Sequence, residues 1–240
     1  MKTKRFIIAF SAVAAWALVS CGGGGTTSSG VSKKSLFGDI PQLYEDKIAD
    51  FVKEIPDPKE DAGVSEAFEV LAKMQQALDE AAEEAKPLAD KMVGEKLAYE
   101  LSDSLPYQIV SDIEVKKVRL PGYEFFGGGG QPTRLDVEFD IVLTQPVDGS
   151  VGWLYYWIMD DDTPIGYGDA TESGTHEAGD TVHISERIEA PDAPAKYVKG
   201  CNMLKFVTRY AYFSRRSALI EQAEKWNDEL LKKLGLKKED

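Results

Sequence analysis

Between Thr133 and Leu143 apolar and polar side chains alternate almost without fault. Leu135, Val137, Phe139 and Ile141 fall on one side, and Arg134, Asp136, Glu138 and Asp140 on the other. A period of two predicts a strand with one wet face. Residues 107–118, 151–159, 164–170, 181–188 and 203–213 carry further strand patterns, with a hairpin turn at 160–163. Short strands at such spacing point to an antiparallel sandwich or curled sheet. Residues 193–199 fit a short helical turn closed by Gly200 in the left-handed position.

The period changes to that of a helix at both ends of this region. Tyr44, Ile48, Phe51, Val52 and Ile55 share one face of a helix predicted over 40–55. Asp39 and Pro41 start it, and Pro56-Asp57-Pro58 stops it. A longer helix is predicted over 65–102. Its seam is Val64, Phe68, Leu71, Gln75, Leu78, Ala82, Ala85, Ala89 and Met92, and Pro87 inside it should kink or split it. The last helix is predicted over 215–234, with Leu219, Ala223, Trp226, Leu230 and Leu234 as its stripe. Ser214 can cap its start, Lys232 and Lys233 suit its negative end, and Gly235 suits the position beyond. The fold class expected is therefore α+β: a central antiparallel, sandwich-like β region flanked by N-terminal helices and a C-terminal helix.

The first residues follow neither period. Lys2, Lys4 and Arg5 precede an apolar run over 6–19, broken only by Ser11. That run is short of the roughly 20 residues that span a bilayer as a helix. Basic start, short apolar core and small residues at the end describe an export signal. It ends Leu18-Val19-Ser20-Cys21, and these four positions resemble the lipobox of the bacterial lipoproteins. The resemblance implies that the Cys21 thiol accepts a diacylglyceryl group, that cleavage precedes Cys21, and that its freed amine can be acylated. Two or three acyl chains anchor far more firmly than one. The implied address is the cell envelope, with the periplasmic face of the outer membrane as the default. The expected organisation is a signal peptide over 1–20, a Gly/Ser tether over 21–35, a helical region over 36–105, the β region over 106–213, and a C-terminal helix over 214–240. A flexible tether of that length has a root-mean-square reach of roughly 20 Å.

Composition narrows the partners. With Lys2, Lys4 and Arg5 removed, 28 basic residues become 25 against 41 acidic, and the formal charge moves from −13 to −16. A chain so acidic is repelled by nucleic acid and by anionic lipid, so attachment to a membrane has to come from lipid on Cys21. Only Cys21 and Cys201 occur. With the first acylated, Cys201 has no partner within the chain and is expected to be a buried, unpaired thiol.

Motifs for chemistry are sparse. The chain has no GxSxG, HExxH, CxxC or Walker loop. Gly127 to Gly130 precede a strand and lack the GxGxxG pattern, so they suggest a mobile loop, with Tyr123, Phe125 and Phe126 beside it. Asp160, Asp161 and Asp162 depart from the EF-hand pattern, because Pro164 and Ile165 stand at its fifth and sixth positions. His176 and His183 have no partner at ligand spacing, and carboxylate pairs are too many to choose among. No catalytic, cofactor or metal residue is therefore assigned. In Trp153-Leu154-Tyr155-Tyr156-Trp157-Ile158-Met159 both alternating sets are apolar, so the strand is expected to be covered on both faces. The other reading makes Trp153, Tyr155 and Trp157 an exposed strip that stacks on a sugar or a partner protein. The function expected is a membrane-anchored, non-catalytic binding module for an envelope protein or glycan. The alternative is a lipid-anchored hydrolase acting on a glycan or peptide.

Overall fold

A computed structural model describes residues 26–27, 34–54, 64–124, 129–148, 153–170 and 174–233. Cys21 and the apolar run before it, the stop at Pro56-Asp57-Pro58, Ile55, Phe125 to Gly128, Leu234 and Gly235 lie outside the described residues. Among those described, the elements in chain order are β1 (Thr26–Thr27), α1 (Ile40–Glu54), α2 (Val64–Met92), β2 (Lys96–Leu97), β3 (Tyr99–Leu101), β4 (Tyr107–Ile109), β5 (Ile113–Arg119), β6 (Gly122–Glu124), β7 (Gly129–Gln131), β8 (Arg134–Leu143), β9 (Val147–Asp148), β10 (Leu154–Asp160), β11 (Thr163–Ala170), β12 (Thr175–His176), β13 (Thr181–Glu189), α3 (Ala195–Gly200), β14 (Met203–Val207) and α4 (Arg209–Lys233). The class is α+β, as the patterns predict.

Two five-stranded sheets face each other. Sheet A has the order β1-β3-β14-β10-β11, and sheet B the order β13-β8-β5-β2 with β4 also paired to β8. The alternation along β8 is realised in full: every second residue from Leu135 to Leu143 is buried, and those between are half-exposed. Its inner side chains meet sheet A, with Phe139 and Phe206 at 5.8 Å between ring centroids. All pairs are antiparallel except β14 with β3, which is parallel, Leu204 lying opposite Tyr99. The strand predicted over 107–118 is divided. Its halves, β4 and β5, both lie along β8, and between them the Asp140 N–H donates to the Ser111 hydroxyl oxygen at 2.7 Å.

The helices cover what the sheets leave open. α1 and α2 pack together, α2 lies on β5, and α1 meets α3. Tyr44, Phe51, Ala81, Ala85, Ala89 and Met92 are buried there, and Gln75 of the predicted seam is exposed. Pro87 does not divide α2. Pro87 and Glu83, whose carbonyl loses its N–H partner, are both exposed, so water can take the freed acceptor. The helix stops at Met92 instead of continuing to 102. Gly94 takes φ +83° and its N–H bonds the Val115 carbonyl at 2.8 Å, which turns the chain into sheet B.

Three further expectations are corrected. Residues 209–213, with their strand-like aromatics, begin α4 instead of ending β14. Thr208 caps that helix: its hydroxyl accepts the Ala211 N–H at 3.3 Å, so Ser214 lies inside the helix. Gly200 is the last residue of α3 and is not left-handed. Its missing side chain instead gives room to Asp160, whose Oδ2 would lie 2.5 Å from a Cβ there. Within the tether, Thr26 and Thr27 pair with Leu101 and Glu100, so part of it is an edge strand of sheet A. The body begins at Leu36 and Phe37, both buried, with the Leu36 N–H donating to the Cys201 carbonyl at 2.7 Å. Cys201 is fully buried, and burial pushes its thiol up to about 12.

Candidate functional site

The apolar strand predicted around Trp153 to Met159 is β10, and both faces are covered. Leu154, Tyr156 and Ile158 point between the sheets and are buried. Tyr155, Trp157 and Met159 point outward, where α4 crosses β10 and β11. Tyr155 is buried against Tyr212, ring centroids 4.7 Å apart, and Phe213 stands edge-on to it at 5.8 Å. Trp157 is half-buried, with the Arg215 guanidinium 5.5 Å over its ring. Trp153 does not share this face. It precedes the first residue of β10 and packs into the main core, edge-on to Tyr107 at 5.7 Å. Trp153, Tyr155 and Trp157 thus form no exposed strip.

What is exposed is the start of α4, which covers Tyr155 and Trp157. Tyr210 is 85% exposed and Phe213 48%, and with Arg209 and Ser214 they line a shallow depression of about 500 Å³. Arg209 lies 5.7 Å over the Phe213 ring and Arg216 5.4 Å over that of Tyr167. Such contacts at exposed sites contribute about 0.5–1 kcal/mol each, and none neutralises the charge. The other described arginines are all ion-paired: Arg119 with Asp136 at 2.7 Å, Arg134 with Glu189 at 2.7 Å and Arg187 with Asp136 at 3.5 Å. Among the described residues, no carboxylate lies within 4 Å of Arg209, Arg215 or Arg216. Guanidinium groups with no carboxylate partner among the described residues, one of them over the exposed Phe213 ring and next to exposed Tyr210, suit a partner that is anionic and partly apolar. The pattern that predicted a strand over 209–213 hid this patch; the signals that mark it are Thr208 as a cap and the pair Arg215-Arg216.

A second polar cluster lies between β11 and β13, on the open side of the sandwich. Tyr156 faces Gly168 across the β10–β11 ladder, and a Cβ on Gly168 would stand 2.3 Å from the Tyr156 hydroxyl. The ring crosses that gap, and its hydroxyl donates to Glu186 of β13 at 3.3 Å. Burial above all, then the nearby Asp169 carboxylate, pushes the Glu186 carboxyl up to about 7 against the downward pull of its hydrogen bonds and of Arg187. Asp169 in turn accepts the Tyr212 hydroxyl at 2.7 Å. Among the described residues burial raises the carboxyls of both Glu186 and Asp192, Glu186 to about 7, and no local sequence pattern marks either.

No family model, curated protein or solved structure matches the chain.

The remaining candidates are placed as follows. His183 Nδ1 lies 2.8 Å from Asp140 Oδ1 on the outer face of sheet B, where its side chain is 61% exposed. Among the described residues, no three His, Cys, Asp or Glu side chains are grouped to hold a metal ion. Asp161 forms the β10–β11 turn at φ +47° and exchanges hydrogen bonds with the Asn202 side chain, at 3.0 and 3.4 Å. Gly129 and Gly130 belong to β7, which pairs with β6. Among the described residues, no helix is long and apolar enough to cross a membrane.

Proposed function

We propose that the protein is a lipid-anchored protein of the bacterial cell envelope, held through acylated Cys21. Its body serves as a non-catalytic contact module, and the start of α4 is its contact surface. The observation that carries the module reading is the grouping of Tyr210 and Phe213 with Arg209, Arg215 and Arg216, which have no carboxylate partner among the described residues. The anchor reading is supported by Leu18-Val19-Ser20-Cys21 behind a short apolar run. The proposed location is the outer membrane, at its periplasmic face.

Growth with an alkyne-tagged fatty acid, followed by mass spectrometry of the amino-terminal peptide, tests the anchor. The expected product begins at acylated Cys21, and Cys21→Ala should abolish both label and processing. An unmodified amino terminus elsewhere would end the anchor reading. The hydrolase alternative rests on Glu186, whose carboxyl titrates near neutrality. It predicts that glycan or peptide hydrolysis by the purified protein is lost in Glu186→Gln.

A further inference from the structure

We infer that the start of α4 docks on the anionic phospholipid headgroups of the membrane that holds Cys21, fixing the orientation of the body. This rests on the anchoring proposed above and adds the partner of the contact surface. The register of sheet A carries the argument. Thr26 lies opposite Leu101, Leu101 opposite Phe206, and Val207 opposite Tyr155. These residues mark one end of the sheet. β1 runs antiparallel to β3, so the chain that precedes Thr26 joins it at that end. α4 starts two residues after Val207, at the same end. Only β3 separates β1 from β14, which places them about 10 Å apart. Five residues lead from Cys21 to Thr26 and span at most about 18 Å by any path. A bilayer that holds Cys21 is therefore within reach of the first turns of α4.

The chemistry of the patch suits that surface. Guanidinium groups pair with phosphate through two parallel hydrogen bonds, and tyrosine and phenylalanine settle where headgroups meet acyl chains. The opposite end of sheet A carries the reverse charge: the β10–β11 turn there presents Asp160, Asp161 and Asp162. Asp169, opposite Tyr155, and Asp103, just after β3, also lie at the α4 end, but the three arginines outnumber them, so an anionic membrane attracts that end and repels the other. The net charge of the whole chain does not prevent this, because screening limits each exposed charge to about 8 Å at physiological ionic strength. The acidic run over 79–84 belongs to α2, which packs on sheet B.

The test uses the full acylated chain in vesicles of phosphatidylcholine with phosphatidylglycerol. Cys201 is buried and Cys21 is consumed, so a cysteine introduced by Ser214→Cys or Asp162→Cys takes a fluorescent label alone. A quencher fixed on lipid headgroups should quench the label at 214 much more than that at 162. Arg209→Glu with Arg216→Glu should abolish the difference; both side chains are exposed, and near-ultraviolet circular dichroism checks that the fold is kept. Equal quenching at the two sites, or a difference that survives the double substitution, overturns the docking surface while the anchor stands. A chain that does not float with the vesicles and carries no acyl group overturns the anchor, and the inference with it.

Discussion

Gly168 shows how much one absent side chain can decide. Its place opposite Tyr156 leaves the ring a path to Glu186. Gly168→Ala forces the ring aside and should cost roughly 1–3 kcal/mol, as overpacking does. Denaturant melts check this, and the cost should shrink in a Tyr156→Leu background, where nothing fills the gap. Glu186 adds a dependence on pH. Its carboxyl, raised from 4.5 to about 7, binds a proton more tightly in the folded chain than in the unfolded one. Its contribution to stability is fully present below pH 4.5 and is lost as pH rises toward 7. Glu186→Gln should therefore gain thermal stability over the parent between pH 5 and 7.5, then hold a constant lead. An offset independent of pH would contradict the shift. Neither residue was legible in the sequence, because the pairing joins β11 to β13 through a side chain of β10. Cys201 was legible: one cysteine left without a partner inside the chain is most often a buried one.

At the scale of elements, long periodic patterns were readable and their ends were not. β8 follows its alternation residue by residue, and α1 runs Ile40–Glu54 where 40–55 was expected. The errors sit where tertiary contacts override local preference. Residues 209–213 hold three aromatics that favour a strand, yet α4 starts there because Thr208 caps it and Tyr212 packs on Tyr155. Thr208→Ala should cost about 1 kcal/mol, the usual loss of a cap. Tyr155→Ala should cost roughly 3–5 kcal/mol, as large-to-small core changes do. In its amide exchange α4 should loosen ahead of sheet B. Equal protection in both elements would show that α4 is held by contacts other than this aromatic set. Trp153 was misplaced for a simpler reason: alternation holds only inside a strand, and β10 begins one residue later.

For the whole molecule, one contiguous core runs from Leu36 through both sheets to Trp226 of α4. Tyr197 of α3 stacks on Trp226 at 4.6 Å and ties the last helix to that core. Helices and sheets should then unfold together. Far-ultraviolet circular dichroism and tryptophan fluorescence should trace one denaturant transition with a common midpoint. Loss of helical signal ahead of fluorescence would show α1 and α2 to be a separate unit. The division into helical and β regions suggested by the sequence does not extend to the core, because β2 and β3, inside the segment expected to be helical, complete the two sheets. The parallel pair of β3 with β14 bears on the order of events as the chain leaves the ribosome. Tyr99 and Leu204 are about a hundred residues apart, so β3 has no neighbour on that side until almost the whole chain has been made. Contacts of such sequence separation form slowly, and an unpaired strand edge invites mispairing in the interval. A nascent chain ending before Met203 would present that edge to any holdase it meets.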